Sequence, residues 1–268
     1  MSQRRSYVAA AELGGKIYVA GGMVGETGRP LATFARYDPA ADSWTTLQPL
    51  PERTRAAAAA TIGETIYVVG GTTRQGDTGR LLAWNGAGWT ERAPLPQPRF
   101  NHSAVAVGGR LYVLGGLDGE GRETRDVYAY DPRADRWSRP TRLPEPTHAF
   151  GAVVFRGEIW VLGGRRGDRV LREVRIFDPA SGRWRPGPAM PKPMELLGAA
   201  VVGDEIHAVW EATYQIFDAR TGAWRDGPRP LVTRHALEAF HLGGALYTIG
   251  GCTTALRDSP VVERRAVD

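Results

Sequence analysis

The chain has 268 residues, 42% of them apolar, with 34 glycines and 19 prolines. That is enough apolar content for a packed core and too much for a disordered chain, while the glycine and proline load argues against a helical protein. The net charge of +5 comes from 34 basic residues spread along the chain among 29 carboxylates, not gathered on one segment, so no nucleic-acid partner is expected.

No window approaches the uninterrupted apolar length of a membrane span, so no membrane association is expected either. Met1 to Ser6 leads straight into patterned sequence without the apolar stretch of a secretory signal. The one thiol, Cys252, cannot form an internal disulfide. A cytoplasmic monomer is the expectation.

The first patterned element, Tyr7–Leu13, reads as a short apolar strand, and KIYVAGG (16–22) as a second strand ending in a glycine pair. YDPAADSW (37–44) follows, with an aromatic seven residues before a tryptophan. Its Asp-Pro centre is turn chemistry, and its flanking aromatics suit neighbouring positions of paired strands. The same order then recurs along the chain. TIYVVGG (65–71) precedes a shortened WNGAGW (84–89), and RLYVLGG (110–116) precedes YDPRADRW (130–137). EIWVLGG (158–164) precedes FDPASGRW (177–184), the decayed EIHAVWE (205–211) precedes FDARTGAW (217–224), and ALYTIGG (245–251) comes last. The first glycines of the five intact pairs are 49, 45, 48 and 87 residues apart, the last step being two periods.

Each unit reads as four short strands: an inner one rich in small residues (Ser103–Val107, for example), the Gly-Gly strand, one ending in Tyr/Phe-Asp, and one starting at Trp. Sustained helical periodicity is absent, so the fold class is all-β. Four-stranded units repeated at this period build a propeller around a central channel, with the tryptophans as core.

A double glycine after an apolar strand, then Tyr-Asp-Pro, then Trp, in units of 45–50 residues, resembles the kelch repeat over nearly the whole chain. The resemblance implies a six-bladed kelch propeller as one domain over 1–268, with repeats at about 3–50, 51–97, 98–145, 146–192, 193–230 and 231–268. Copy six stops at Ala266-Val267-Asp268, level with the third strand, so its blade is expected to have three strands or to belong to a longer chain. His102 falls where the kelch pattern often carries histidine, which implies a structural role.

In kelch propellers, ligands and partner peptides commonly meet one end of the channel, at the residues leading into each inner strand and just after each glycine pair. Transferred to this chain, that rim comprises Arg5, Tyr7, Arg55, Arg99, Asn101, His148, Arg165, Glu195 and Arg234. Four lead-in arginines would make a positive funnel for a carboxylate ligand or an acidic peptide, which guanidinium groups bind bidentately. Copy six carries Glu238 where the other inner strands hold Ala9, Ala58, Ser103, Gly151 and Gly198. Such a carboxylate must be paired or reached by water, and with His235 nearby the two are candidates for acid–base catalysis.

The expected function is therefore a binding module with a protein, peptide or small anionic ligand at the channel mouth. A small-molecule enzyme like the six-bladed N-acetylneuraminate epimerase (sialic acid mutarotase) is the alternative, and a scaffold without its own ligand a third. Five histidines without HxH or HExxH spacing and a single thiol give no metal or cofactor site. The Cys–Tyr and histidine set of galactose oxidase, which shares the repeat, has no counterpart around Cys252.

Overall fold

Short apolar segments punctuated by turn residues fold into antiparallel strands throughout the computed structural model, which describes residues 4–25, 27–253 and 257–267. Met1, Ser2, Gln3 and Asp268, part of the expected domain span, lie outside the described residues. Among the described residues no helix is long and apolar enough to cross a membrane.

Blade one comprises β1 (Ala9–Leu13), β2 (Lys16–Ala20), β3 (Phe34–Asp38) and β4 (Ser43–Thr46). Blade two comprises β5 (Ala58–Ile62), β6 (Thr65–Val69), β7 (Leu81–Trp84) and β8 (Trp89–Arg92). Blade three holds β9 (Ser103–Val107), β10 (Arg110–Leu114), β11 (Asp126–Asp131) and β12 (Arg136–Arg142). Blade four holds β13 (Gly151–Phe155), β14 (Glu158–Leu162), β15 (Val174–Asp178) and β16 (Arg183–Pro186). Blade five holds β17 (Gly198–Val202), β18 (Glu205–Trp210), β19 (Thr213–Asp218) and β20 (Ala223–Asp226). Blade six has three strands, β21 (His235–Leu242), β22 (Ala245–Cys252) and β23 (Val262–Ala266). Each sheet pairs its strands in chain order, and the first strand of each neighbours the first strand of the next around the axis. This is the six-bladed propeller the repeats imply, with the expected three-stranded last blade.

Six apolar clusters fill the six seams between blades. Tyr37, Trp84, Tyr130, Phe177 and Phe217 each pair across the sheet with the tryptophan of strand four, at ring-centroid distances of 5.0–5.5 Å. These tryptophans also reach back one blade. Trp89, Trp137 and Trp224 donate Nε1–H to the carbonyls of Gln48 (3.1 Å), Ala93 (2.8 Å) and Pro188 (2.8 Å). The aromatics are thus core and seam, as their spacing suggests.

The glycine pair has a local cause, seen at Gly115 and Gly116. Their φ values of 53° and 94° turn the chain so that their N–H groups reach Asp126 O (3.2 Å) and, in the next blade, Thr147 O (3.0 Å). A Cβ on Gly115 would stand 2.5 Å from Thr147 O. Blade five drops the pair because β18 and β19 join through a tight hairpin, Trp210 opposite Thr213, with Glu211 at φ 50°. The long connection that needs two glycines is gone.

Candidate functional site at the channel mouth

At the entry to each inner strand one residue sits in the left-handed backbone region: Tyr7, Ala56, Asn101, Ala149, Leu196 and Ala236, with φ between 47° and 56°. Such a conformation costs a non-glycine residue about 1 kcal/mol or more. Here it turns the backbone towards the neighbouring blade. Ala56, Asn101, Ala149, Leu196 and Ala236 each donate N–H to the carbonyl of the equivalent residue one blade back, at 2.9, 3.2, 2.8, 2.7 and 2.8 Å. Five hydrogen bonds thus lace a ring around the axis. Among the described residues none joins Tyr7 to Ala236 across the seam where the ring closes. There the Asp258 carboxylate accepts from the N–H of Gly25 instead.

Inside this ring is a cavity of about 110 Å³. Small residues form most of its wall, and Tyr7, Asn101, His102, Ser103 and Glu238 are its polar lining. Crowding keeps the wall small: a Cβ on Gly198 would stand 2.4 Å from Leu237 Cδ1 of the next inner strand. Glu238 sits on β21 opposite Ile249, and among the described residues no side chain pairs with its carboxyl. Water reaches it along the channel while protein encloses it, and that desolvation pushes its pKa up to about 8. His102 is buried, with the Val69 backbone as the polar group beside its ring. Burial, with Arg99 adding, pulls it down to about 3. A Cβ on Gly70 would stand 2.7 Å from its ring Cε1 and one on Gly116 2.7 Å from its Cβ, so His102 fills the seam between blades two and three.

A second layer surrounds the opening. In the five blades with a glycine pair, the residue before the left-handed position bridges to the one after the pair: Ser6 to Met23, Arg55 to Thr72, Phe100 to Leu117, His148 to Arg165 and His235 to Cys252. The two sets of rim residues named from sequence therefore do meet. Their charges are mixed. Arg165 Nη1 holds Glu195 at 3.0 Å, and His148 Nδ1 stands 3.2 Å from Glu123. His148 is held low by burial, against the pull of Glu123 and Glu195. His235 has Cys252 Sγ at 3.2 Å from Nε2 and Glu211 at 3.7 Å from Nδ1. Cys252 is buried, which pushes its thiol up. Arg55 is half-buried and touches Met23 Sδ through Nη1 at 3.2 Å. Burial raises the Tyr7 phenol, Cys252 and Glu195 adding to the effect and Arg55 opposing it.

Three of the four lead-in arginines are not on this rim. Arg5, Arg99 and Arg234 are buried, each donating to the carbonyl of the first glycine of its own blade's pair, Gly21, Gly115 and Gly250, at 3.0, 3.0 and 2.7 Å. Arg5 and Arg99 also donate to the third-strand side of the blade, at Thr33 O (2.8 Å) and Asp126 O (3.1 Å). Desolvation draws Arg5 down to about 10 and lowers the other two. The expected positive funnel of four lead-in arginines is corrected to Arg55 alone of the four, beside the Glu195-paired Arg165 and mixed charge. Guanidinium groups gather here because several carbonyls converge where the glycine pair turns.

Glu123 and Glu211 were missed in sequence. Both come from connections of irregular length, where the repeat offers no register. Among the described residues no group of three His, Cys, Asp or Glu side chains is arranged to hold a metal ion.

A solved structure of YjhT superposes with a TM-score of 0.88 over 99% of this chain and 96% of that one, at 14% identity. That likeness is one of fold. No curated protein sequence matches the chain. The sequence profile of the KLHDC2/KLHL20/DRC7 Kelch-repeats domain matches residues 7–209. With that profile covering most of a chain whose blades, glycine pairs and tryptophan registers all follow one plan, the protein belongs to the kelch-repeat family.

Proposed function

We propose that the protein is a binding module whose ligand, a carboxylate-bearing small molecule or the acidic tip of a peptide, enters the channel mouth. The observation that carries this is the axial cavity itself, about 110 Å³, with Tyr7, Asn101 and Glu238 lining it. Arg55, beside Tyr7, has no carboxylate partner among the described residues. An anionic group would meet Arg55 and Tyr7 at the opening. A small uncharged part would reach Glu238, which is neutral at pH 7 and can donate a hydrogen bond. Calorimetric titration with hexaglutamate tests the reading. Binding should weaken about ten- to a hundredfold in Arg55→Glu, since loss of a charge-assisted contact is worth roughly 1.5–3 kcal/mol. Equal binding by the variant would defeat it.

A second reading, an enzyme of the sialic acid mutarotase type, is favoured by one feature. A carboxyl in a channel with a pKa near 8 can both hold and release a proton near neutrality. His235 does not line the cavity, so Glu238 would act without it. Anomer exchange of sialic acid followed by NMR, with wild type and Glu238→Gln, decides this; no acceleration by wild type removes it.

A further inference from the structure

In blades one to four, strand two joins strand three through residues 21–33, 70–80, 115–125 and 163–173. Each connection opens on a glycine pair whose next residue bridges to the rim, so these four segments flank the channel mouth. In blade five only 211–212 separate β18 from β19. The mouth is therefore open sideways over blade five.

Glu211 does there what the second glycine does elsewhere. Its N–H donates to Arg234 O at 2.6 Å, as those of Gly22, Gly71, Gly116 and Gly164 donate to Thr54 O, Arg99 O, Thr147 O and Met194 O at 2.8–3.0 Å. Where the other turns have two glycines, this one carries the side chains of Trp210 and Glu211. Trp210 is half-buried against the apolar cluster between blades four and five. The Glu211 side chain is 32% exposed, with His235 Nδ1 at 3.7 Å, and among the described residues no lysine or arginine pairs with it. Glu195, at the lead-in of the same blade, is already held by Arg165 at 3.0 Å.

Arg55, at the lead-in of blade two, stands three blades from blade five and so across the axis from Glu211. Neighbouring backbones joined by a hydrogen bond lie about 5 Å apart, which puts opposite members of a six-membered ring roughly 10 Å apart and Glu211, one strand further out, roughly 15 Å from Arg55. Four steps of extended peptide, at about 3.3 Å each, cover that distance once side chains reach from both ends.

We propose that the ligand of the mouth is a peptide that crosses the rim from blade two to blade five, with an acidic tip at Arg55 and an arginine four residues further on at Trp210 and Glu211. This rests on the reading of the mouth as a site for an acidic tip. The tip meets Arg55 and Tyr7, and the chain leaves through the gap over blade five. There its guanidinium stacks on the indole and pairs with the free carboxylate.

The probe is the fluorescent peptide acetyl-Glu-Glu-Gly-Ser-Gly-Arg-Ser, followed by anisotropy. Saturable binding should weaken about tenfold when the peptide's arginine becomes alanine, and about tenfold in Glu211→Gln. The two losses together should be little greater than either alone, because both remove one contact. Glu211→Lys should reverse the preference and favour the peptide with glutamate in place of arginine. Melting temperatures should match wild type, since the bond from Glu211 to Arg234 is made by its backbone. Trp210→Leu, which keeps an apolar contact with the seam, should weaken binding about threefold. Two failures read differently. No binding of the peptide, or binding unchanged in Arg55→Glu, removes the reading of the mouth and this proposal with it. Arg55-dependent binding that ignores both the peptide's arginine and Glu211→Gln overturns this proposal alone.

Discussion

Arg99 donates from Nη1 to the carbonyl of Gly115 at 3.0 Å, sixteen residues ahead, and the same step of sixteen joins Arg5 to Gly21 and Arg234 to Gly250. Three of the six blades thus anchor the turn at their glycine pair with a buried guanidinium. Arg99 also lies 4.8 Å over the Tyr128 ring, which fixes its plane. Arg99→Ala leaves the Gly115 carbonyl without its donor and Asp126 O with Gly115 N–H alone, and should destabilise the fold by about 2–4 kcal/mol. Arg99→Lys should recover less than half, because one ammonium cannot span Gly115 O and Asp126 O together. Urea denaturation midpoints check this, and full recovery by lysine would contradict the anchoring role.

Tyr130 donates its hydroxyl proton to Asp135 Oδ1 at 2.6 Å, and Tyr37 does the same to Asp42 at 2.5 Å. Both aspartates have φ near 46°, and where the aromatic is Phe177 or Phe217 the same position holds Gly182 or Gly222. Tyrosine with aspartate, or phenylalanine with glycine, are therefore two solutions to one left-handed turn. Tyr130→Phe should cost about 1 kcal/mol. A double-mutant cycle with Asp135→Gly should show the pair less destabilised than the sum of the singles. The Tyr130 hydrogen bond, and then the Ala93 N–H, hold the Asp135 carboxyl below 3.8. Its contribution is present above that pH and lost on acidification, so the coupling should fade in acid. Strict additivity at neutral pH would argue against the pairing.

Glu238 titrates near 8 in the fold and near 4.5 in an unfolded chain. The folded state therefore holds its proton longer, and stability falls as pH rises through that window. Glu238→Gln should remove this slope, gaining about 2–4 kcal/mol relative to wild type at pH 8 and little at pH 4, with some of the effect screened by channel water. Thermal melts across this range test it; parallel pH profiles for the two proteins would contradict a desolvated carboxyl at Glu238.

Two glycines of blade three separate backbone strain from collision. Gly109 has φ 71° with nothing within 4 Å of an added Cβ, whereas at Gly116 (φ 94°) the Cβ would meet His102 Cβ at 2.7 Å and Phe100 O at 2.8 Å. Gly109→Ala should cost about 1 kcal/mol, and Gly116→Ala about 3 kcal/mol or more, or prevent folding. Similar losses at both positions, read by calorimetry, would mean that the seam yields easily.

Blade number, strand order and the short last blade were all legible in the chain, because each repeat carries its own period-two pattern, turn chemistry and aromatic pair. Those are local properties, written within seven or eight residues of one another, as between Tyr130 and Trp137. The fate of the arginines was not legible. Arg5, Arg55, Arg99 and Arg234 look alike along the chain, yet three point into converging carbonyls and one lies beside Tyr7 at the channel opening. Which way a long side chain turns depends on acceptors from strands far away in sequence, and these meet only once the sheets have twisted around the axis. The ring of left-handed residues from Tyr7 to Ala236 was hidden for the same reason. Its alanines and leucine carry no turn signal of their own, and the carbonyls that hold them in place belong to neighbouring blades.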